Sequence, residues 1–224
     1  MKIFTIIKDQ SERVFDKNFR LVNGKELWKH LISELSSHDI TINTDSSRLI
    51  NKICKSEFPK VSIVKRREKH IQWETDPNIH TSPVQDMLFD FCRAQDPNQI
   101  VVLTHVTSLF LSLDTVKSAV SKLENDSSIK SIHSVEIIKD FTWLKKENGY
   151  IPINFDPEVV QRTQDLPELL VSKGAFFIAR AKDILEQKKR LPDPVFYYPL
   201  KHIECIEIDT EADLNFSKTI KEKR

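Results

Sequence analysis

The chain has 224 residues, 39% hydrophobic and 30% charged, and its 34 Lys and Arg against 33 Asp and Glu leave a formal net charge of +1. That length suits one large domain, or a domain with an arm, and the charge balance argues against a general nucleic-acid binder, which would carry a basic excess. The chain has no apolar run of 18 residues, and its N-terminus is too charged for a secretory signal, so a cytoplasmic protein with no membrane span is expected.

In chain order, Lys2-Ile3-Phe4-Thr5-Ile6-Ile7 reads as a short buried strand. A loop over residues 8–20 follows, with four cations, Lys8, Arg13, Lys17 and Arg20. After Gly24, Leu27, Leu31, Ile32 and Leu35 recur at helical spacing, and Ile40 and Ile42 alternate on a strand ending at Asp45. Val61, Ile63 and Val64 suggest another strand, and Val84, Met87, Leu88 and Phe91 a helix opened by Ser82-Pro83 as cap and first turn. Ile100-Val101-Val102-Leu103 reads as a central buried strand, followed by a helix through Val116, Ala119, Val120 and Leu123. From residue 139 to 172 the pattern breaks into short strands and loops, among them Phe141-Thr142-Trp143-Leu144 and Tyr150-Ile151-Pro152-Ile153. A last apolar run, Cys205-Ile206-Glu207-Ile208, reads as a strand that ends at Asp209, and Thr210 with Asp213 fits a capping box for a final helix.

Strands alternating with helices predict an α/β sandwich with a mostly parallel sheet and helices on both faces. Ligands of such sheets bind at the carboxyl ends of the strands. Lys8, Thr44-Asp45 and His105 each follow an apolar strand, so they are expected to converge on one edge. Three widely spaced cysteines, Cys54, Cys92 and Cys205, form no C-x-x-C and read as reduced, buried thiols.

Two stretches carry chemistry. Glu207 and Asp209, two residues apart on a strand, would face the same side and offer oxygen ligands to magnesium. The basic first loop could hold a triphosphate through charge-assisted hydrogen bonds, although spacing alone favours a solvated charged loop. It has no glycine, so it is not a Walker loop, and side chains rather than close backbone approach would do the binding. Residues 65–69, Lys-Arg-Arg-Glu-Lys, read as a solvated face, and His70, His80, His133 and His202 have no metal-ligand spacing. No Ser/His/Asp or Cys/His set is evident.

Ser11, Arg13 and Lys17-Asn18 are followed in order by Gly24-Lys25-Glu26-Leu27, Asn43-Thr44-Asp45 and His105-Val106-Thr107-Ser108-Leu109-Phe110. Then come Lys139, Arg162-Thr163-Gln164-Asp165-Leu166-Pro167, Gly174-Ala175-Phe176-Phe177-Ile178 and the acidic end. Over nearly the whole chain this series resembles the CMP-sialic acid synthetase family, cytidylyltransferases that make CMP-activated nonulosonic acids. The chain departs from the family in Ile7-Lys8-Asp9-Gln10-Ser11, where the family reads Ala-Arg-Gly-Gly-Ser, in Leu109 for a proline, in His105 for a glutamine and in Glu207 for an aspartate. The resemblance implies a three-layer α/β/α Rossmann-like nucleotidyltransferase sandwich, spanning 1–224 as one domain, with an arm at 139–172 that mediates a homodimer. It implies transfer of CMP from CTP to the anomeric hydroxyl of an acidic sugar, with Lys17, Arg13 and Asp209 catalytic. Lys8, Ser11, Arg13, Lys17, Asn18 and Asp45 would bind the nucleotide, and one of Arg66 and Arg67 would approach it. His105, Lys139, Arg162 and Gln164 would bind the sugar, and Asp209 and Glu207 the magnesium. Two alternatives stand beside it: an eight-carbon acceptor, whose family shares S-x-R-x-x-x-K in the first loop, and a non-catalytic nucleotide-binding homologue.

Overall fold

The computed structural model describes residues 1–11, 13–53 and 57–220. Cys54 lies outside them. Strand β1 (Lys2–Ile7) leads through the basic loop to a 3-10 turn at Lys17–Phe19 and a hairpin of β2 (Leu21–Val22) and β3 (Lys25–Glu26). The hairpin turns on Asn23 and Gly24, both at positive φ (48° and 80°), the backbone that an Asn-Gly pair takes readily. Then follow α1 (Leu27–Leu35), β4 (Ile40–Thr44), α2 (Ser47–Lys52), β5 (Val61–Lys65), α3 (Glu68–Thr75), α4 (Val84–Arg93), β6 (Ile100–Thr104) and α5 (Leu113–Asn125). The second half holds β7 (Ser131–Ile138), β8 (Trp143–Lys146), β9 (Gly149–Pro152), β10 (Leu169–Arg180), α6 (Ala181–Gln187), β11 (Val195–Pro199) and α7 (Glu211–Thr219).

Seven strands form one sheet in the order β11-β7-β10-β6-β1-β4-β5. β1 pairs in parallel with β4 and β6, β4 with β5, and β11 with β7. β10 alone runs antiparallel, against both β6 and β7. β6 occupies the middle of the sheet and buries all five of its residues, the place its unbroken apolar run implies. Successive residues of a strand face opposite sides, and the core divides accordingly. Ile3 and Val102 pack with Trp28 and Leu31 of α1 and Val116 and Leu123 of α5. Phe4, Leu103 and Phe177 pack with Met87 and Leu88 of α4 and Ile184 of α6. Each such fully buried side chain contributes on the order of 1.5–3 kcal/mol. The result is the three-layer α/β/α sandwich that the alternation of patterns implies.

Three local expectations need correction. The acidic end is not a strand: after β11 the chain forms a 3-10 turn at His202–Cys205, and residues 206–209 pair with no strand, while the Ile208 N–H donates to the carbonyl of Thr107, beyond the end of β6, at 3.0 Å. The apolar alternation there buries Ile208 in a separate cluster with Val14, Val22, Leu27, Leu109 and Leu214, which pins the segment to the first loop instead. At α4, Ser82 still accepts from the Val84 N–H at 3.3 Å, but Pro83 stands at the cap and the helix begins one residue later than Ser82-Pro83 implied. Within residues 65–69, Arg66 is buried, because Glu74 of α3 receives its guanidinium at 2.7 Å. The capping box of α7 is present as expected, with Thr210 Oγ1 accepting from Asp213 N–H and Asp213 from Thr210 N–H. Cys92 and Cys205 are free and buried, and burial pushes the Cys92 thiol up to about 12.

The arm grows from the sheet. β7 and β10 continue as an antiparallel ribbon that pairs Val135–Ile138 with Leu169–Ser172, and the β8–β9 hairpin hangs from its end. Phe141 and Trp143 meet Phe155 edge-on at 5.0 and 4.9 Å. Trp143, Leu144, Tyr150, Ile151 and Ile153 remain exposed.

Candidate active site

A cleft of about 860 Å³ opens at the carboxyl ends of β1, β4 and β6, the position and size expected of a ligand site in this architecture. Lys8 follows β1, Asp45 follows β4 and His105 follows β6, and all three line it. The first loop adds Ser11, Arg13, Lys17 and Asn18 to the lining, and the acidic segment packed against it adds Glu207 and Asp209.

The glycine-free loop is shaped by side chains. Asp16 takes a left-handed backbone (φ 56°) and accepts two hydrogen bonds from Arg48, at 2.9 and 2.7 Å, while the Arg48 guanidinium lies 4.0 Å from the Phe19 ring centroid. Asn18 Nδ2 donates to the Lys8 carbonyl at 2.8 Å and closes the loop on β1. Asp45 accepts from the Asp9 N–H at 3.2 Å, and Ser46 Oγ donates to the Asp9 carboxylate. These bonds present Lys17, which is buried, to the acidic segment: its Nζ donates to the Ile208 carbonyl at 2.9 Å and lies 3.5 Å from Asp209 Oδ1. Burial lowers the Lys17 pKa, and Asp209 opposes that shift. Arg13 Nη2 reaches the same Asp209 oxygen at 2.7 Å.

Glu207 is held from the sheet side. Its Oε1 accepts from the Gly174 N–H at 3.0 Å, and a Cβ on residue 174 would stand 2.7 Å from that oxygen, so a side chain there would displace the carboxylate. Burial raises the Glu207 pKa against the pull of the Gly174 N–H, and Asp209 raises it further. Two carboxylates, one of them desolvated, are a donor set that fits a hard dication such as magnesium. His105 stands beside Gly174 and Phe177. Burial, Arg190 and Lys17 push its pKa down to about 4 against an opposing Asp209, so the imidazole is neutral at neutral pH.

Arg66, not Arg67, lines the cleft. Arg66 Nη1 and Lys8 Nζ share Glu74 at 2.7 and 3.0 Å, and Arg66 Nε and Nη2 have no hydrogen-bond partner among the described residues. Arg67 turns out to Asp90 at 2.8 Å. The arm residues are not brought to the cleft within one chain. Lys139 pairs with Glu168 at 3.4 Å, Arg162 forks onto Asp165 at 2.7 and 3.1 Å, and Gln164 is exposed. His70, of no evident ligand spacing in the sequence, meets Asp86 and Asp90 in space, but Lys69, Arg67 and Arg93 already neutralise those aspartates.

The fold is the α/β sandwich also found in solved nucleotidyltransferases. Among solved structures the chain is similar to a 2-C-methyl-D-erythritol 4-phosphate cytidylyltransferase from Francisella tularensis (TM-score 0.63, 14% identity, 97% of this chain and 98% of that one). It is also similar to a CMP:2-keto-3-deoxy-manno-octonic acid synthetase complexed with CTP (TM-score 0.62, 13% identity, 96% and 95%). A third similar structure is a molybdopterin-guanine dinucleotide biosynthesis protein A from Archaeoglobus fulgidus (TM-score 0.56, 13% identity, 97% and 97%). At these identities the likeness is one of fold. No protein-family model and no curated protein matches the chain.

Proposed function

We propose that the protein is a CTP-dependent cytidylyltransferase that joins CMP to the anomeric hydroxyl of a nonulosonic acid and releases pyrophosphate. The observation that carries this reading is the meeting of Arg13 and Lys17 with Asp209 and Glu207 in one cleft at the carboxyl ends of the parallel strands. Arg13, Lys17 and Lys8 hold the triphosphate and stabilise the charge that grows on the leaving pyrophosphate. On binding, Arg13 and Lys17 exchange the Asp209 carboxylate for phosphate oxygens. Ser11, Asn18 and Asp45 border the cytidine, and Arg66 is the arginine that approaches it. Glu207 and Asp209 are the residues that would hold magnesium, which supplies charge neutralisation at the α-phosphate. His105, neutral, offers a hydrogen bond to the acceptor sugar.

The exposed apolar side chains of the arm fit a homodimer contact. In that dimer Lys139, Arg162 and Gln164 would reach the cleft of the second copy. The eight-carbon acceptor stays as the second reading, favoured by the likeness to the octonic acid synthetase. The test is pyrophosphate release from CTP and magnesium with nine-carbon and eight-carbon sugar acids. Release with a nine-carbon acid supports the proposal, release only with an eight-carbon acid moves it to the second reading, and no release with any acid removes both.

A further inference from the structure

The cleft has cations for a triphosphate, but the arm's cations are paired away from it, so within one chain the acceptor's own negative charge lacks a partner. We propose that Arg190, lying across the Phe177 ring beside His105, receives the anionic group of the acceptor, a carboxylate or a phosphate monoester. This rests on the cytidylyltransferase reading and adds to it the residue that selects an acidic acceptor.

Lys188 takes a left-handed backbone (φ 53°) that ends α6 and turns the chain back. Gln85 of α4 holds that turn, accepting from the Arg190 N–H at 3.3 Å and donating to the Lys188 carbonyl at 3.4 Å. Val84, next to Gln85, lines the cleft, as His105 does. So placed, the Arg190 guanidinium lies 3.8 Å from the Phe177 centroid. His133, the register partner of Phe177, stacks on the same ring at 4.4 Å and 15°. Two groups that near one centroid fit only on opposite faces, so Phe177 is clamped and Arg190 is held in place by it. Phe177 meets His105 edge-on at 6.3 Å, which joins this platform to the cleft.

Arg190, half-buried beside the cleft, is unlike the buried cations that line it. Lys17 has Asp209 and Arg66 has Glu74, whereas among the described residues no hydrogen-bond or ion-pair partner meets the Arg190 guanidinium. Burial alone pulls its pKa down, with no carboxylate opposing. A cation that is partly desolvated and has no counter-ion is less stable than one in water, and a ligand anion would relieve it. The planar fork matches two oxygens of a carboxylate or phosphate. The imidazoles nearby, His105 and His133, both have lowered pKa values and so give hydrogen bonds rather than charge. His133 Nε2 already meets Ser172 Oγ at 2.6 Å.

The test is titration of the whole protein, with CTP and without magnesium, by a nine-carbon sugar acid, its methyl ester and glycerol 3-phosphate. The imidazole NMR resonances of His105 and His133 report binding, and calorimetry reports CTP separately. A saturable shift is expected with an anion and none with the ester. Arg190→Gln should weaken anion binding at least tenfold and Arg190→Lys less. A response to the acid alone assigns a carboxylate, and a response to glycerol 3-phosphate alone a phosphate monoester. No saturable shift with either anion, equal binding of the ester, or unchanged affinity in Arg190→Gln overturns the proposal. Anion shifts without any CTP heat would support the subsite and remove the cytidylyltransferase reading instead.

Discussion

Arg13 and Asp209, 196 residues apart in the chain, meet at 2.7 Å, and Lys17 approaches the same Asp209 oxygen at 3.5 Å. The basic loop and the acidic end thus neutralise each other in the cleft. The Arg13–Asp209 pair is well exposed, with side chains 66% and 40% accessible, and such pairs contribute roughly 0–1 kcal/mol. A triphosphate can therefore displace it at small cost.

Asp209 and Asp213 should separate function from stability. Asp209→Asn removes the charge that faces Arg13 and Lys17 and is expected to abolish turnover with the thermal midpoint nearly unchanged. Asp213 accepts from the Asp209, Thr210 N–H groups at 3.0 and 2.7 Å, a capping role. Asp213→Asn should cost about 1 kcal/mol or less and keep most of the magnesium response. Turnover against magnesium concentration and thermal melts on both variants check this. Metal response lost from Asp213→Asn but kept in Asp209→Asn would reverse the assignment.

Gly174→Ala should act on Glu207. The added methyl would stand 2.7 Å from Glu207 Oε1, so the carboxylate must move while the backbone, not at a left-handed φ, has no reason to. The half-saturating magnesium concentration is expected to rise several-fold with the far-UV spectrum unchanged. An unaltered magnesium curve would show that Glu207 is not held for the metal.

Much of the frame was legible because it rests on local rules. The apolar runs of β1 and β6, the spacing of Leu27, Leu31 and Leu35, and the Thr210–Asp213 box all read directly. The convergence of Lys8, Asp45 and His105 followed from topology alone. What escaped was decided by distant partners. Ile208 alternates like a strand residue, yet its burial comes from Val14 and Leu214 rather than from sheet pairing. Arg66 sits in a charged run that looks solvated, and only Glu74 in space gives it a buried place. The antiparallel course of β10 has no signature in its own residues.

His105 gives a pH prediction. Its pKa is 6.5 in the unfolded chain and about 4 when folded. Above 6.5 it is neutral in both states, and its contribution to stability is complete. As pH falls from 6.5 to 4 the unfolded chain takes up a proton that the folded one refuses, so stability declines. Urea unfolding across that window should show a shallower decline for His105→Asn than for the parent. Equal slopes would contradict the lowered pKa of His105.

The arm should control assembly. Tyr150 and Ile151 are 66% and 51% exposed on the β8–β9 hairpin. Changing Tyr150→Glu with Ile151→Asp is expected to convert a sedimenting dimer to monomer, since two charges would enter an apolar contact, without altering the fold. A parent protein that is monomeric at micromolar concentration would contradict the proposed dimer.

The most direct test of the central claim is calorimetric titration of CTP with magnesium into the parent and into Lys17→Met. A charge-assisted hydrogen bond contributes about 1.5–3 kcal/mol, so one site per chain is expected in the parent, weakened roughly ten- to hundredfold in the variant. No CTP heat in the parent, or equal affinity in both proteins, would contradict the assignment of this cleft as a triphosphate site.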